Sequence, residues 1–262
     1  MKLCASNIGW LPGDDEYVYR FMSDSGFEGL EIAPSRIFPV TPYEHVREAS
    51  EFAAKLRADY GLAVVSIQSI WYGMTQRIAG SEHERRGLME HTRKALRFSD
   101  AVSCRNIVFG CPKNRRTDKP GDYEIVAGFL ADIADEAEKF GITVALEPNP
   151  AMYGTNFINT TAQALELVSE INHPALKVNL DFGTIIANAE TLCLVPENIS
   201  LISHVHISEP ELRPIKPRFQ HKELRDVLRE SGYSGYISLE MRSQESITEL
   251  TGSMKYIREV FA

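Results

Sequence analysis

The chain has 262 residues, 44% of them hydrophobic, with 28 basic and 36 acidic side chains that give a formal net charge of −8. This composition is typical of a globular protein with a full hydrophobic core, and it excludes an intrinsically disordered chain. An acidic chain without a basic run lacks the positive surface that holds nucleic-acid phosphates, so we expect no nucleic-acid partner.

The cysteines and the start of the chain bear on the cellular compartment. Four cysteines lie far apart, without the paired spacing of a metal site. The start MKLCASNIGW lacks the apolar region of a secretory leader, and no stretch approaches the roughly 18 apolar residues of a membrane helix. We therefore expect a cytoplasmic protein with no membrane partner.

Eight short apolar runs, rich in β-branched residues, recur along the chain. Runs of this length that are apolar on both faces predict buried parallel strands. In chain order the predicted strands span residues 2–6, 29–33, 62–68, 106–110, 143–147, 176–182, 202–208 and 236–240.

Amphipathic stretches between these runs predict helices. Apolar residues repeat with helical spacing over 16–26, over 123–141 and over 246–261. Between residues 185 and 200 the pattern is interrupted by Pro196, so we predict only a short helix there.

The alternation of strands and helices predicts the architecture. Dividing 262 residues by eight strands gives about 33 residues for each strand and its helix, close to the roughly 30 that such a unit needs. We predict a closed (β/α)8 TIM barrel that forms a single domain over residues 1–262, since no linker divides the chain. The alternative is an open doubly wound sheet. Such a sheet usually has a G-x-G-x-x-G loop after its first strand, and NIGWLPGDD lacks this motif.

A candidate metal site follows from the ends of the last four strands, because the active site of such a barrel forms where its strands end. The polar residues at these ends are Glu147, Asp181, His206 and Glu240. Three buried carboxylates beside one imidazole carry too much negative charge to stay unneutralised, which favours one divalent cation. Oxygen ligands with one nitrogen suit Mn²⁺, which we favour, and also Mg²⁺, Co²⁺ or Zn²⁺.

Each of these residues also has a simpler interpretation. Glu147 and Glu240 can be solvated strand ends. Asp181 can cap the following turn, and either His204 or His206 can be a hydrogen-bonded structural histidine. The coincidence of four such residues at successive strand ends favours the metal site.

Residues near the ends of the earlier strands are candidates for substrate binding. Gln68 ends the third strand. Trp71 follows it with a ring that can form an apolar wall of the pocket, or that can be a core or rim aromatic without such a role. Lys113 and Arg115 follow the fourth strand and can meet an anionic or hydroxylated substrate, although a solvated basic loop explains them equally well. Glu31, in the second strand, can be a hydrogen-bond partner of the site or a surface cap.

Six segments together carry a family resemblance: GFEGLEI (26–32), FGCPKNR (109–115), ALEPNP (145–150), NLDFG (179–183), HVHISEP (204–210) and GYSGYISLEM (232–241). They resemble the sugar phosphate isomerase/epimerase superfamily, the xylose isomerase-like TIM barrels. The resemblance spans nearly the whole chain and implies that the four residues named above are the metal ligands. It further implies that Glu147 and Glu240 are the catalytic acid/base pair, which moves a proton next to a carbonyl through an enediolate.

Two departures from the family pattern concern the substrate. Many members have a histidine where this chain has Thr184, which predicts a roomier and less basic pocket. The family's His-x-Gly-Glu is matched in part, by His206 and Glu209. The arginine that follows this motif in epimerases has Leu212 near its position here, with Arg213 one residue further on. Glu209 and Arg213 are therefore further candidates for substrate binding.

The resemblance implies a metal-dependent isomerase or epimerase of a small sugar, ketose or polyol derivative. Two alternatives stay open: a dehydratase of a cyclic polyol ketone, and a metal-binding barrel without activity. We do not expect DNA repair, because the histidines with which the endonuclease branch binds further zinc ions are replaced here. Barrel helices exposed at the surface commonly pair, which allows a homo-oligomer.

Overall fold

The structure is a computed structural model that describes residues 1–243 and 246–262. In this part of the chain eight strands pair in parallel in chain order, and the last pairs with the first to close the barrel. The strands are β1 (Lys2–Ser6), β2 (Gly29–Ile32), β3 (Ala63–Ile67), β4 (Asn106–Phe109), β5 (Thr143–Leu146), β6 (Leu176–Asp181), β7 (Ile202–Ile207) and β8 (Tyr236–Leu239). The predicted TIM barrel is confirmed, and the open sheet is excluded.

Helices connect these strands. They are α1 (Asp15–Asp24), α2 (Pro34–Ile37), α3 (Val46–Tyr60), α4 (Glu82–Ala101), α5 (Asp122–Glu138), α6 (Thr161–Ile171), α7 (Phe182–Asn188), α8 (Phe219–Glu230) and α9 (Ile247–Phe261). Short 3-10 segments span Asn7–Gly9, Pro12–Asp14, Pro42–Glu44, Ala151–Tyr153, Pro196–Leu201 and Pro210–Leu212. Across the described ranges, no helix is long and apolar enough to cross a membrane.

The predicted helices agree with this arrangement, with ends displaced by up to three residues. Between residues 185 and 200, where the sequence predicted only a short helix, the structure has the second half of α7 and the 3-10 segment that begins at Pro196. The start of α4 shows how local sequence sets a boundary. The Ser81 side chain accepts a hydrogen bond from the backbone of Glu84, whose carboxylate accepts one from the backbone of Ser81. This capping box satisfies two backbone donors that the first turn leaves free.

Side chains on β7 alternate between two sides of the strand, one apolar and one polar. On β7, His204 and His206 lie on one side of the strand and Val205 and Ile207 on the other, and all four are buried. The apolar side packs in the core between strands and helices, and the histidines contact acidic residues inside the barrel. The interior near the strand ends is therefore polar, where TIM barrels generally hold branched apolar side chains.

Candidate functional site

Four polar side chains meet at the carboxyl ends of the last four strands. Asp181 ends β6 and His206 lies in β7, while Glu147 and Glu240 directly follow β5 and β8. Each offers one ligand atom, and these atoms all lie within 4.8 Å of one another, which is close enough for one metal ion. We call these four residues the tetrad. The structure thus brings together the residues that the strand ends indicated.

The two ring nitrogens of His206 face different partners. Nε2 lies 3.1 Å from Glu31 Oε2 in a hydrogen bond. Nδ1 lies 3.1 Å from Glu147 Oε1 and 3.1 Å from Glu240 Oε2, yet it is buried without a hydrogen bond of acceptable geometry. A carboxylate behind one imidazole nitrogen holds the ring so that the other nitrogen can bind a metal. This unpaired nitrogen between two carboxylates is the feature that best fits a cation.

Glu31 supports the tetrad from inside the barrel. It is fully buried, which excludes a surface cap. Its Oε1 accepts hydrogen bonds from Gln68 Nε2 at 3.2 Å and Ser238 Oγ at 3.1 Å, and its Oε2 faces His204 Nε2 as well as His206, both at 3.1 Å. Burial opposes ionisation of Glu31, but the two imidazoles outweigh it and hold the pKa of this carboxyl well below its ordinary value. An ionised Glu31 therefore anchors His206.

Two asparagines hold the Glu147 carboxylate. Asn179 Nδ2 donates to Oε1 at 2.8 Å and Asn149 Nδ2 donates to Oε2 at 2.9 Å. Space for the carboxylate depends on Gly110, where a Cβ atom would lie only 2.8 Å from Glu147 Oε2. The sequence analysis missed both asparagines, although each lies two residues from a predicted ligand, on the same face of its strand or just beyond the strand end.

Asp181 both belongs to the tetrad and caps α7. Its Oδ2 accepts hydrogen bonds from the backbone of Thr184 at 2.8 Å and from the Thr184 hydroxyl at 2.7 Å, and its Oδ1 accepts one from Ser208 Oγ. Thr184 is fully buried, and its hydroxyl also lies 2.9 Å from the Pro148 carbonyl oxygen. Thr184 therefore orients a candidate ligand, whereas the sequence suggested an effect on the width of the pocket.

Protons occupy the tetrad unequally in the protein without metal. Burial raises the pKa of Glu240 to about 7, and the charges of Glu147 and Glu31 act in the same direction. Burial also opposes ionisation of Glu147, but its interaction with His206 outweighs it, so its pKa is lowered. Burial opposes protonation of His206, but Glu31, Glu240 and Glu147 outweigh it and raise the pKa of this imidazole well above its ordinary value. A bound proton thus supplies positive charge where a cation would, and the donor set fits a divalent metal.

A cavity of about 190 Å³ opens onto the tetrad. The residues that line it are Gln68, Ser69, Val108, Gly110, Cys111, Pro112, Glu147, Asn149, Tyr153, Asp181, Ser208, Leu212 and Glu240. Its volume lies below the ~300–1,000 Å³ that is common for drug-sized ligands, so the cavity suits a small molecule. Gln68 is the predicted substrate-binding residue that the structure places at this cavity.

The other candidates for substrate binding have different surroundings. The Trp71 ring lies in the core, where its indole donates to Thr92 Oγ1 at 3.0 Å and its ring packs edge-on against Phe109. Because this ring is only 2% exposed, it forms no wall of the cavity. Lys113 is exposed to solvent, and Arg115 is fully buried behind Asn149.

Glu209 and Arg213 flank the 3-10 turn at the cavity rim. Glu209 is buried and forms a two-pronged ion pair with Arg218, with distances of 2.7 and 2.5 Å. Arg213 is exposed and pairs with Glu211. These contacts anchor the turn, and Leu212 is the residue of the turn that lines the cavity. Leu212 has a φ of 53°, in the left-handed region that a leucine rarely adopts, so the turn holds it there against local preference.

Parts of this chain are similar to curated epimerases. The ketose 3-epimerase of Arthrobacter globiformis is 35% identical over 78 residues, which cover 29% of this chain and 27% of that protein. The D-psicose 3-epimerase of Ruminiclostridium cellulolyticum is 28% identical over 125 residues, which cover 47% of this chain and 42% of that protein. The matched stretches thus span less than half the length of these curated relatives.

Solved structures and a family model extend the likeness to the whole fold. The crystal structure of 3-keto-D-glucoside 4-epimerase from E. coli matches with a TM-score of 0.79 and 22% identity, over 99% of both chains, which shows a shared fold. The model of the xylose isomerase-like TIM barrel matches residues 19–260. The chain therefore belongs to the xylose isomerase-like TIM barrel family.

Proposed function

We propose that this protein is a metal-dependent epimerase or isomerase that acts on a small, uncharged sugar or polyol derivative. The observation that carries the proposal is the buried tetrad, in which two glutamate carboxylates face the unpaired Nδ1 of an oriented imidazole. The epimerase names of the relatives support the same reaction class. We favour Mn²⁺ among the divalent ions, with Mg²⁺, Co²⁺ and Zn²⁺ as the other candidates.

The two glutamates can move a proton between opposite faces of one carbon. When bound, a divalent cation would stabilise negative charge on the carbonyl oxygen of the substrate. Glu147, held ionised by its neighbours, accepts the proton when the C–H bond next to the carbonyl breaks. Glu240 returns a proton to the opposite face of that carbon. One proton is taken and one is returned, so the product is an epimer and no redox partner is needed. Proton exchange with solvent then returns both carboxyl groups to their starting forms.

The lining of the cavity favours a substrate without a phosphate group. Among the described residues that line it, three are carboxylates and none is lysine or arginine. Lys113 and Arg213 are exposed outside that lining. A phosphate ester would therefore add negative charge beside Glu147, Asp181 and Glu240 without a cationic side chain to bind it.

The function can be tested with a panel of free ketoses in deuterium oxide, with Mn²⁺ added to the purified protein. We expect deuterium at one carbon next to the carbonyl, together with an epimer or isomer, detected by NMR. If the metal-loaded protein exchanges no carbon-bound proton with any ketose or cyclic polyol ketone, the proposal is wrong. Release of an enone absorbing in the ultraviolet would assign a dehydratase in its place.

The charge of the cavity leads to a prediction about substrate selection. We expect the phosphate ester of an accepted ketose to react with a kcat/KM at least ~100-fold lower, because like charges brought together cost several kcal/mol. Steady-state kinetics on a matched pair of free and phosphorylated sugars measure the ratio. Equal or better turnover of the phosphate ester would contradict the proposed substrate class.

The contacts of Thr184 lead to a prediction about metal affinity. Thr184→Val keeps the shape of the side chain but removes the hydroxyl that donates to Asp181. We expect Mn²⁺ affinity to fall by about 10-fold or more, the usual scale for partners that orient a ligand, and calorimetric titration measures this. Thr184→Ser keeps the hydroxyl and is the control. Unchanged affinity in Thr184→Val would show that Asp181 needs no such support.

A further inference from the structure

Arg115 is a buried cation without an ionic partner. Its side chain is 0% exposed, and among residues 1–243 and 246–262 no carboxylate oxygen lies within the 4.0 Å of an ion pair with it. Nη2 donates to Asn149 Oδ1 at 2.8 Å and lies 3.4 Å from the Ile158 carbonyl oxygen, while Nε and Nη1 have no partner. Burying a charge in this way is costly, so the position of this guanidinium needs an explanation.

The contact with Asn149 determines which way that amide points. A guanidinium only donates hydrogen bonds, so the Asn149 oxygen must face Arg115. The Asn149 NH₂ group is then directed to Glu147, where it donates to Oε2 at 2.9 Å. If the amide turned over, its oxygen would face the Glu147 carboxylate and repel it. Arg115 thus determines which end of the Asn149 amide faces Glu147. Asn149 is the only described side chain that donates to Glu147 Oε2.

Arg115 acts from behind the cavity and not as a contact for substrate. It has no exposed surface, and Asn149 lies between it and Glu147. Its charge also favours the ionised form of Glu147, and burial lowers its own pKa only to about 10, so it stays protonated at neutral pH. A substrate-binding role, which the sequence suggested, does not fit a side chain enclosed in this way.

We propose that Arg115 is a positioning residue: it orients the Asn149 amide and, through it, fixes Glu147 as a metal ligand and proton acceptor. This inference rests on the proposed function of the tetrad. Loss of Arg115 should therefore weaken metal binding and lower kcat, while KM for the sugar changes little, because no contact with substrate is lost.

The test compares Arg115→Met, Arg115→Lys and a matched control, Arg116→Met. Arg116 is the next residue, is 59% exposed and lies 3.9 Å from Asp118, so its substitution removes the same charge at the surface. Calorimetric titration with Mn²⁺ reports affinity without any substrate. We expect Arg115→Met to bind Mn²⁺ about 10–100-fold more weakly, Arg115→Lys to recover part of this loss because lysine also only donates, and Arg116→Met to match the wild type.

A double-mutant cycle separates orientation of the amide from general loss of folding. In Asn149→Ala the amide is absent, so adding Arg115→Met should cost much less metal affinity than it does in the wild type. If Arg115→Met does not fold, Arg115→Lys alone and in Asn149→Ala completes the cycle. Wild-type Mn²⁺ affinity in Arg115→Met, full additivity in the cycle, or a rise in KM alone would overturn the inference. A wild-type protein that binds no divalent ion would overturn the proposed function as well.

Discussion

Replacing Glu240 by Gln is expected to reduce turnover by about 10²–10⁴-fold, the range that a positioned acid or base contributes. The amide keeps the size of the side chain but holds no transferable proton and carries no charge for a metal. Glu147→Gln should have a comparable effect, because it removes the proposed proton acceptor, the other carboxylate beside His206 Nδ1. Exchange of the substrate's carbon-bound proton with solvent, followed by NMR, measures the loss for each variant.

A glutamate outside the tetrad provides a control for these two substitutions. Glu211 lies at the cavity rim, and its carboxylate pairs with the exposed Arg213, so Glu211→Gln makes the same chemical change outside the tetrad. We expect its turnover to stay within about twofold of the wild type, as for most surface substitutions. A Glu147→Gln/Glu240→Gln double variant that still exchanged the proton at the wild-type rate would exclude the mechanism.

The residues that were predictable from the sequence are those that follow strand periodicity. Glu147 and Glu240 each come directly after an apolar run, and the carboxyl ends of parallel strands meet at one end of a barrel. Asp181 and His206 complete the set at equivalent positions. Their convergence therefore depends on strand order and register alone, which hydrophobic patterning already specifies.

Loop residues were less predictable, because contacts distant in sequence decide where they point. Ser69 and Cys111 both have positive φ, at 56° and 44°, so the chain turns sharply after β3 and after β4. Beyond the first turn, the Trp71 indole packs on Phe109 in the core. Beyond the second, Arg115 is carried inward to Asn149. No local pattern in these segments specifies either direction.

Asn179 shows a different limit of sequence patterning. It lies inside the run of β6, where alternation places it on the same face as Asp181, yet one polar residue in an apolar strand does not reveal its partner. The register of β6 against β7 shifts between Val178 and Asn179, and Asn179 pairs with His204. Irregularities of this kind re-aim side chains near active sites. The hydrogen bond to Glu147 therefore follows from barrel geometry and could not be read from the strand itself.

The metal-free protein is expected to lose thermal stability as the pH rises from about 7 to 8.5. Glu240, with a pKa of about 7, and His206, with a pKa well above 6.5, bind more protons in the folded than in the unfolded state within this window. The free energy of unfolding must then fall with rising pH, by at most about 1.4 kcal/mol per pH unit for each such proton. The lowered pKa values of Glu147 and Glu31 act only below their ordinary value of 4.5. Burial lowers the pKa values of His204, His221 and His91 from 6.5, so these rings oppose the decline near pH 6.5 and add little slope above about pH 7.

Added metal should reverse this trend, because a cation replaces the protons that the tetrad otherwise holds. We expect Mn²⁺ affinity to rise with pH, by up to about tenfold per pH unit for each proton displaced, so the gain in melting temperature on adding Mn²⁺ grows from about pH 7 to pH 8.5. The titration belongs to the coupled cluster and not to one side chain. Glu240→Gln removes one titrating group and should flatten the pH dependence of the metal-free protein. A melting temperature that rises over this window without metal, or a Mn²⁺ affinity independent of pH, would mean that the tetrad does not exchange protons for a cation.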